Sequence, residues 1–195
     1  MQLRHYHFVF QRLTMTNSKS LIVFFSLQAM VVMISIIPSS HCRTLHRNDE
    51  RLIESTCKKT PNYNVCLQYL KASPESSSAD VTGLALIMVK VIKAKANDAL
   101  KIIHELQRVG SGPKQRKALS SCADKYKAIL IADVPQATEA LQKGDPKFAE
   151  DGANDAANEA TYCENEFSGK SPLTKQNNAM HDVAAVTAAI VRLLL

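Results

Sequence analysis

The residues of this chain whose types and spacing bear on chemistry are few. They are three histidines beyond residue 42, five cysteines, and a lysine set between a proline and a phenylalanine at 146–148. Catalysis needs a nucleophile beside a base, two carboxylates at a working separation, or a metal ion. His46 falls near a terminus, while His104 and His181 sit within helical patterns, where a histidine is ordinarily a surface or satisfied core residue. Glu164 and Glu166 flank one helical turn, the usual arrangement of solvated carboxylates. GxSxG, HExxH and glycine-rich phosphate loops are absent, as are CxxC pairs and Cys/His clusters at metal-ligand spacing. The expectation is a protein that is not an enzyme and holds no metal and no cofactor.

Gly144-Asp145-Pro146-Lys147-Phe148 admits two readings. Locally it is a helix start, with Asp145 as N-cap, Pro146 as first helical residue, Lys147 in solvent and Phe148 tucked against the core. Alternatively it is a rigid corner that presents a cation beside an aromatic ring, a preorganised probe for a carboxylate-rich pocket on a partner. Periodicity does not decide between them.

Both readings require a frame around the corner. The 195 residues, 46% hydrophobic, suffice for one domain with its own core plus a processed segment. Glycine is scarce at 6 and Trp is absent, which leans towards helix and away from a turn-rich β fold. Of 24 Lys+Arg against 18 Asp+Glu, Arg4, Arg12 and Lys19 lie in residues 1–42, which carry no acid, so the remainder has a net charge of +3. Spread along helices without interleaved aromatics, that charge is a weak case for nucleic-acid binding. Lys90, Lys93, Lys95 and Lys101 read as the solvated face of a helix rather than a membrane-binding stripe.

Residues 21–37, LIVFFSLQAMVVMISII, are an uncharged apolar run of 17 between basic residues and Pro38-Ser39-Ser40. That order is read as a cleaved secretory signal rather than a membrane anchor, because no stop-transfer pattern follows. The expected organisation is a signal at 1–42, a helical hairpin extension and linker at 43–78, and a helical bundle at 79–195. In the oxidising compartment this implies, Cys57, Cys66, Cys122 and Cys163 form two bridges, and Cys42 either leaves with the signal or stays as an odd thiol.

Residues 49–72 read as a helical hairpin broken at Thr60-Pro61-Asn62, which brings Cys57 and Cys66 face to face. Pro74 to Ser78 is a polar linker. From Asp80 a long helix begins, with Val81, Leu84, Met88, Ile92, Ala96, Ala99, Ile103 and Leu106 at steps of three and four, until Gly110-Ser111-Gly112-Pro113 stops it. A second stripe runs through Leu119, Cys122, Tyr126, Leu130, Val134, Ala137 and Leu141, with Pro135 expected to kink the helix or open a turn. The third stripe, Gly152, Ala156, Ala160, Cys163 and Phe167, consists largely of small residues. The fourth is Leu173, Ala179, Val183, Val186, Ile190 and Leu193. Four amphipathic helices on short loops favour an all-α fold, an antiparallel up-down-up-down bundle. Cys122 lies 22 residues before Gly144 and Cys163 19 after it, roughly 33 and 28 Å from the shared turn and so at similar heights. The expected pairs are therefore Cys57–Cys66 and Cys122–Cys163.

The stretch Ile53-Glu54-Ser55-Thr56-Cys57-Lys58-Lys59-Thr60-Pro61-Asn62-Tyr63, followed by Cys66-Leu67, resembles the opening of the plant invertase and pectin methylesterase inhibitor family. Leu84-Ala85-Leu86-Ile87-Met88-Val89, Ala94-Lys95-Ala96-Asn97, the run from Gly144 to Gly152, Cys163-Glu164 and Ala189-Ile190-Val191-Arg192 extend the resemblance over about residues 51–195. It implies a four-helix bundle with an N-terminal hairpin, and bridges from the first cysteine to the second and the third to the fourth. It also implies a secreted proteinaceous inhibitor of the apoplast or vacuole whose partner, one to one, is a plant acid invertase, with pectin methylesterase as the alternative. Pro146-Lys147-Phe148, preceded by Asp145, matches the element with which invertase inhibitors enter the substrate site. Asn154-Asp155-Ala156-Ala157-Asn158 departs from the glycine- and serine-richer third helix of close relatives.

Overall fold

The computed structural model describes residues 50–110, 112–168 and 170–195; the apolar run at 21–37, Cys42 and His46 lie outside the described residues. Residues 50–57 are helical (α1), and Tyr63–Ala72 form α2. Asn62 between them accepts the Val65 N–H on its side-chain oxygen at 3.2 Å, capping α2, and reaches Asp182 at 3.5 Å. Cys57 and Cys66 bridge the hairpin with Cα atoms 5.4 Å apart, stapling two helices too short to persist alone. Pro74–Ser78, expected as a plain linker, winds into a 3₁₀ turn started by its proline, with Ser76 buried.

Asp80 starts α3 (Val81–Arg108) by accepting the Gly83 N–H at 2.8 Å. Leu84, Met88, Ile92, Ala96, Ala99 and Ile103 are buried along it, as their three-four spacing requires. Next, α4 (Pro113–Ala128) passes through one π turn, Ile129–Asp133, into α5 (Val134–Lys143). Pro135 has no N–H to return to the previous turn, and its ring crowds that turn. Widening it by one residue, with the Val134 N–H bonded to the Ile129 carbonyl, relieves both. The extra residue moves the stripe: Ile129 is fully buried, and Leu130, expected in the core, is only partly so.

The bundle is completed by α6 (Pro146–Asn165) and α7 (Thr174–Val191), which ends in a 3₁₀ turn, Arg192–Leu194. Each long segment packs on its sequence neighbour and α7 closes the ring on α3, giving the antiparallel up-down-up-down bundle. Because α2 also lies on α7, residues Val183 to Val191 are buried with the exception of Ala185. Leu193 leaves the expected stripe and is 37% exposed, since the tighter terminal turn rotates it off the buried face.

The small-residue stripe of α6 permits a close approach. A Cβ on Gly152 would stand 2.8 Å from the Asp133 carbonyl oxygen and 3.3 Å from Ala137 Cβ. Higher up, Cys122 and Cys163 join α4 to α6 with Cα atoms 4.8 Å apart. Buried Tyr126 donates to Asn177 Oδ1 at 2.8 Å, and Asn177 Nδ2 donates to Glu164 at 2.6 Å. Burial, and then the Glu164 charge, pushes the Tyr126 hydroxyl pKa upward. Glu164 also accepts from Thr174 at 2.6 Å, and Glu166 from Ser121 at 2.7 Å. Glu164 is therefore a partner in the packing of α6 on α7, while Glu166 is a surface carboxylate that links to α4.

Candidate functional site

Two residues turn α5 into α6. Gly144 takes a φ of 76°, and the Asp145 N–H returns to the Ala140 carbonyl at 2.8 Å, closing the end of α5. A side chain at that left-handed position would be strained, which is why glycine stands there. Asp145 occupies the N-cap position of α6, but its carboxylate accepts no N–H from the first turn. Its backbone is set by closing α5, and a ψ of 71° falls short of the extended values from which a cap reaches forward. The expected side-chain cap is therefore not made.

Pro146, Lys147 and Phe148 form the first turn of α6, with the proline pre-setting its φ. Phe148 is not tucked against the core: it is 56% exposed. Gln136 of α5 donates to the Phe148 carbonyl at 3.2 Å. Beside the ring lies a hollow of about 370 Å³ lined by Gln136, Glu139, Ala140, Lys143 and Asp145. Of the local reading, the helix start and the exposed lysine are found, and the tucked phenylalanine is not.

The Lys147 ammonium is exposed without being free. It donates to Glu150 Oε2 at 3.1 Å and stands 3.1 Å from Asp151 Oδ1. These bonds, that to Glu150 first, raise the lysine pKa and keep it charged. Glu150 is buried, and Arg192, just beyond α7, donates Nε to its other oxygen at 2.6 Å. The Arg192 hydrogen bond above all, and then that of Lys147, holds the Glu150 carboxyl below the usual range. A cation in the first turn opposes the helix dipole, and that turn carries no acid.

Glu150 and Asp151 lie three and four positions after Lys147, a helical spacing that was legible in the sequence and passed over. Gln136 and Arg192 come from other elements, and no local pattern announces them. His104 and His181 are exposed, and among the described residues no three His, Cys, Asp or Glu side chains are placed to hold a metal ion. Chemically the corner offers the Lys147 cation, with Arg192 behind it on Glu150, the Phe148 ring and a fixed backbone.

Residues 51–190 match the family described as plant invertase/pectin methylesterase inhibitor. The chain is 47% identical over 139 residues to cell wall / vacuolar inhibitor of fructosidase 1 of Arabidopsis thaliana, covering 71% of this chain and 67% of that one. It is 32% identical over 140 residues to a pectinesterase inhibitor of Actinidia deliciosa, covering 72% and 75%. Among solved structures, a mutant form of a pectin methylesterase inhibitor from Arabidopsis matches with a TM-score of 0.64 and 22% identity, over 73% of this chain and 97% of that one. That last likeness concerns the fold. On the extent of the family match and the identity to its members, this chain belongs to the plant invertase/pectin methylesterase inhibitor family.

Proposed function

We propose that this protein is a secreted inhibitor of plant acid invertase, binding one to one and occluding the sucrose site with Pro146-Lys147-Phe148. The observation that carries the reading is the exposed cation and ring in the first turn of α6, directly after the two-residue turn that ends α5. Its relatives are named inhibitors, of fructosidase and of pectinesterase, rather than enzymes. The higher identity to the fructosidase inhibitor supports invertase as the target.

Retaining glycosidases work with two carboxyl groups close together. Lys147 enters among them, where exclusion of water strengthens the attraction. Phe148 and Pro146 fill the mouth of the site, and Asp145 fixes the entry angle through its bond to α5. Little ordering is needed on binding, because the turn is already set by Gly144 and by the helices on either side. Secretion to the apoplast is supported by the apolar run at 21–37 and by two disulfides; a vacuolar inhibitor would take the same route.

The test is a titration of purified acid invertase and, in parallel, of pectin methylesterase with the oxidised protein at acidic pH. Dose-dependent loss of sucrose hydrolysis with the esterase untouched is expected. Inhibition of the esterase alone would reassign the target.

A further inference from the structure

Glu150 sits at the centre of the corner's charge. Its Oε1 takes Arg192 Nε at 2.6 Å and its Oε2 takes Lys147 Nζ at 3.1 Å, one oxygen for each cation. The Glu150 side chain keeps 11% of its exposure, whereas those of Lys147 and Arg192 keep 61% and 53%. A buried carboxylate bound at both oxygens is fixed, and whatever it holds is fixed with it. The cations bearing on it are these two; from α5, Gln136 donates to the Phe148 carbonyl, and Glu139 and Lys143, paired with each other, line the hollow beside the Phe148 ring. Asp151 holds the same ammonium from the next position of α6.

The charge balance at the corner is narrow. Lys147 and Arg192 stand against Asp145, Glu150 and Asp151, so the corner is negative by one charge while Arg192 is present and by two without it. In the second case Glu150, already a partner of Lys147, would have no other cation. Removing Arg192 therefore makes the corner one charge less favourable to an acidic pocket.

We infer that Arg192 is a positioning residue for Lys147: by occupying one oxygen of Glu150 it fixes that carboxylate and leaves the ammonium available to the carboxylates of a target. The inference rests on the function proposed above. An ammonium has three donors, of which Glu150 and Asp151 engage two, so one remains for the target. Arg192 acts through Glu150, 42 residues away in sequence, and need not touch the target itself.

This arrangement has a pH signature. The bond from Arg192 is the largest of the effects holding the Glu150 carboxyl down. Without it the Glu150 carboxyl is held down less and takes up its proton at a higher pH than in the wild type, so its surplus charge is present at the higher pH and fades sooner on acidification. Dividing each inhibition constant by that of the wild type at the same pH cancels the titration of the target.

The experiment measures inhibition of acid invertase at about pH 4 and about pH 6 by the wild type, Arg192→Gln, Arg192→Lys, Lys147→Ala and the Lys147→Ala/Arg192→Gln double variant. Thermal unfolding of each checks the fold. Arg192→Gln should be weaker by about tenfold at the higher pH and by less than about threefold at the lower, the size of effect expected from one misplaced charge. Arg192→Lys should recover most of the loss, and in the Lys147→Ala background the arginine change should add nothing. If Arg192→Gln inhibits like the wild type at both pH values while Lys147→Ala does not inhibit, the inference is wrong and the proposed function stands. A loss independent of pH, unrelieved by lysine, would make Arg192 a structural or contact residue and also overturn it. Wild-type inhibition by Lys147→Ala would remove the proposed function, and the inference with it.

Discussion

At the scale of single residues, the proposed recognition rests mostly on Lys147 and Phe148. Both are exposed and both are held by neighbours rather than by the core: Lys147 by Glu150 and Asp151, Phe148 through its carbonyl by Gln136. Lys147→Ala should weaken invertase inhibition by at least about 30-fold, as expected of a hot spot, while the bundle stays folded. Inhibition titrations with each form measure this directly. Inside the bundle, Tyr126→Phe removes the donor to Asn177 and leaves a buried amide oxygen without its partner. Chemical denaturation should show a loss of about 1–2 kcal/mol, with inhibition retained under native conditions. The position of the corner was legible in the sequence because glycine, aspartate and proline punctuate it. The exposure of Phe148, the absence of a cap at Asp145 and the contact from Arg192 were not legible. They depend on how α5 closes and on where α7 ends, which are tertiary facts. Glu164 illustrates the same limit, since its partners Asn177 and Thr174 belong to another helix.

At the scale of elements, the π turn and the α6 stripe form one joint. Gly152 lies where a Cβ would meet the Asp133 carbonyl, so Gly152→Ala should destabilise by about 1–3 kcal/mol. In an open helix the same change would instead stabilise by about 1 kcal/mol, so the sign seen in denaturant unfolding decides whether the close approach is real. The Asp133 carboxyl is pushed up to about 6, by burial first and then by the charges of Asp155 and Glu159. Its Oδ2 is buried without a hydrogen-bond partner. An acid whose folded pKa lies above its unfolded one binds more protons when folded. Its contribution to stability therefore falls as pH rises between the unfolded value, about 3.9, and about 6. Asp133→Asn should melt above the wild type at pH 7, and the gap should close below about pH 4; scans across that range measure it. Pro135 announced an opened turn in the sequence. Its exact form, one extra residue that buries Ile129 in place of Leu130, needed the packing of α6 against it.

At the scale of the whole molecule, the framework is that of a small bundle made rigid by two bridges. The stripes at three and four, the four cysteines and the short loops made the architecture legible before any contact was known. They did so because burial and loop closure act on spacing alone. Opening Cys122–Cys163 frees 41 residues of sequence separation and opening Cys57–Cys66 frees 9. In the chain-entropy account the first bridge contributes about 4 kcal/mol and the second about 3 kcal/mol. Cys122→Ser/Cys163→Ser should therefore lower the melting temperature more than Cys57→Ser/Cys66→Ser. It should also weaken inhibition more, because it loosens the helix that carries the corner. The central claim, that this corner fills the sucrose site, is tested most directly by steady-state inhibition of acid invertase at several sucrose concentrations. The account requires competition: half-inhibition should need more inhibitor in proportion as sucrose rises, with the maximal rate unchanged. A fall in maximal rate that sucrose does not relieve would place the inhibitor elsewhere on the enzyme and contradict the claim.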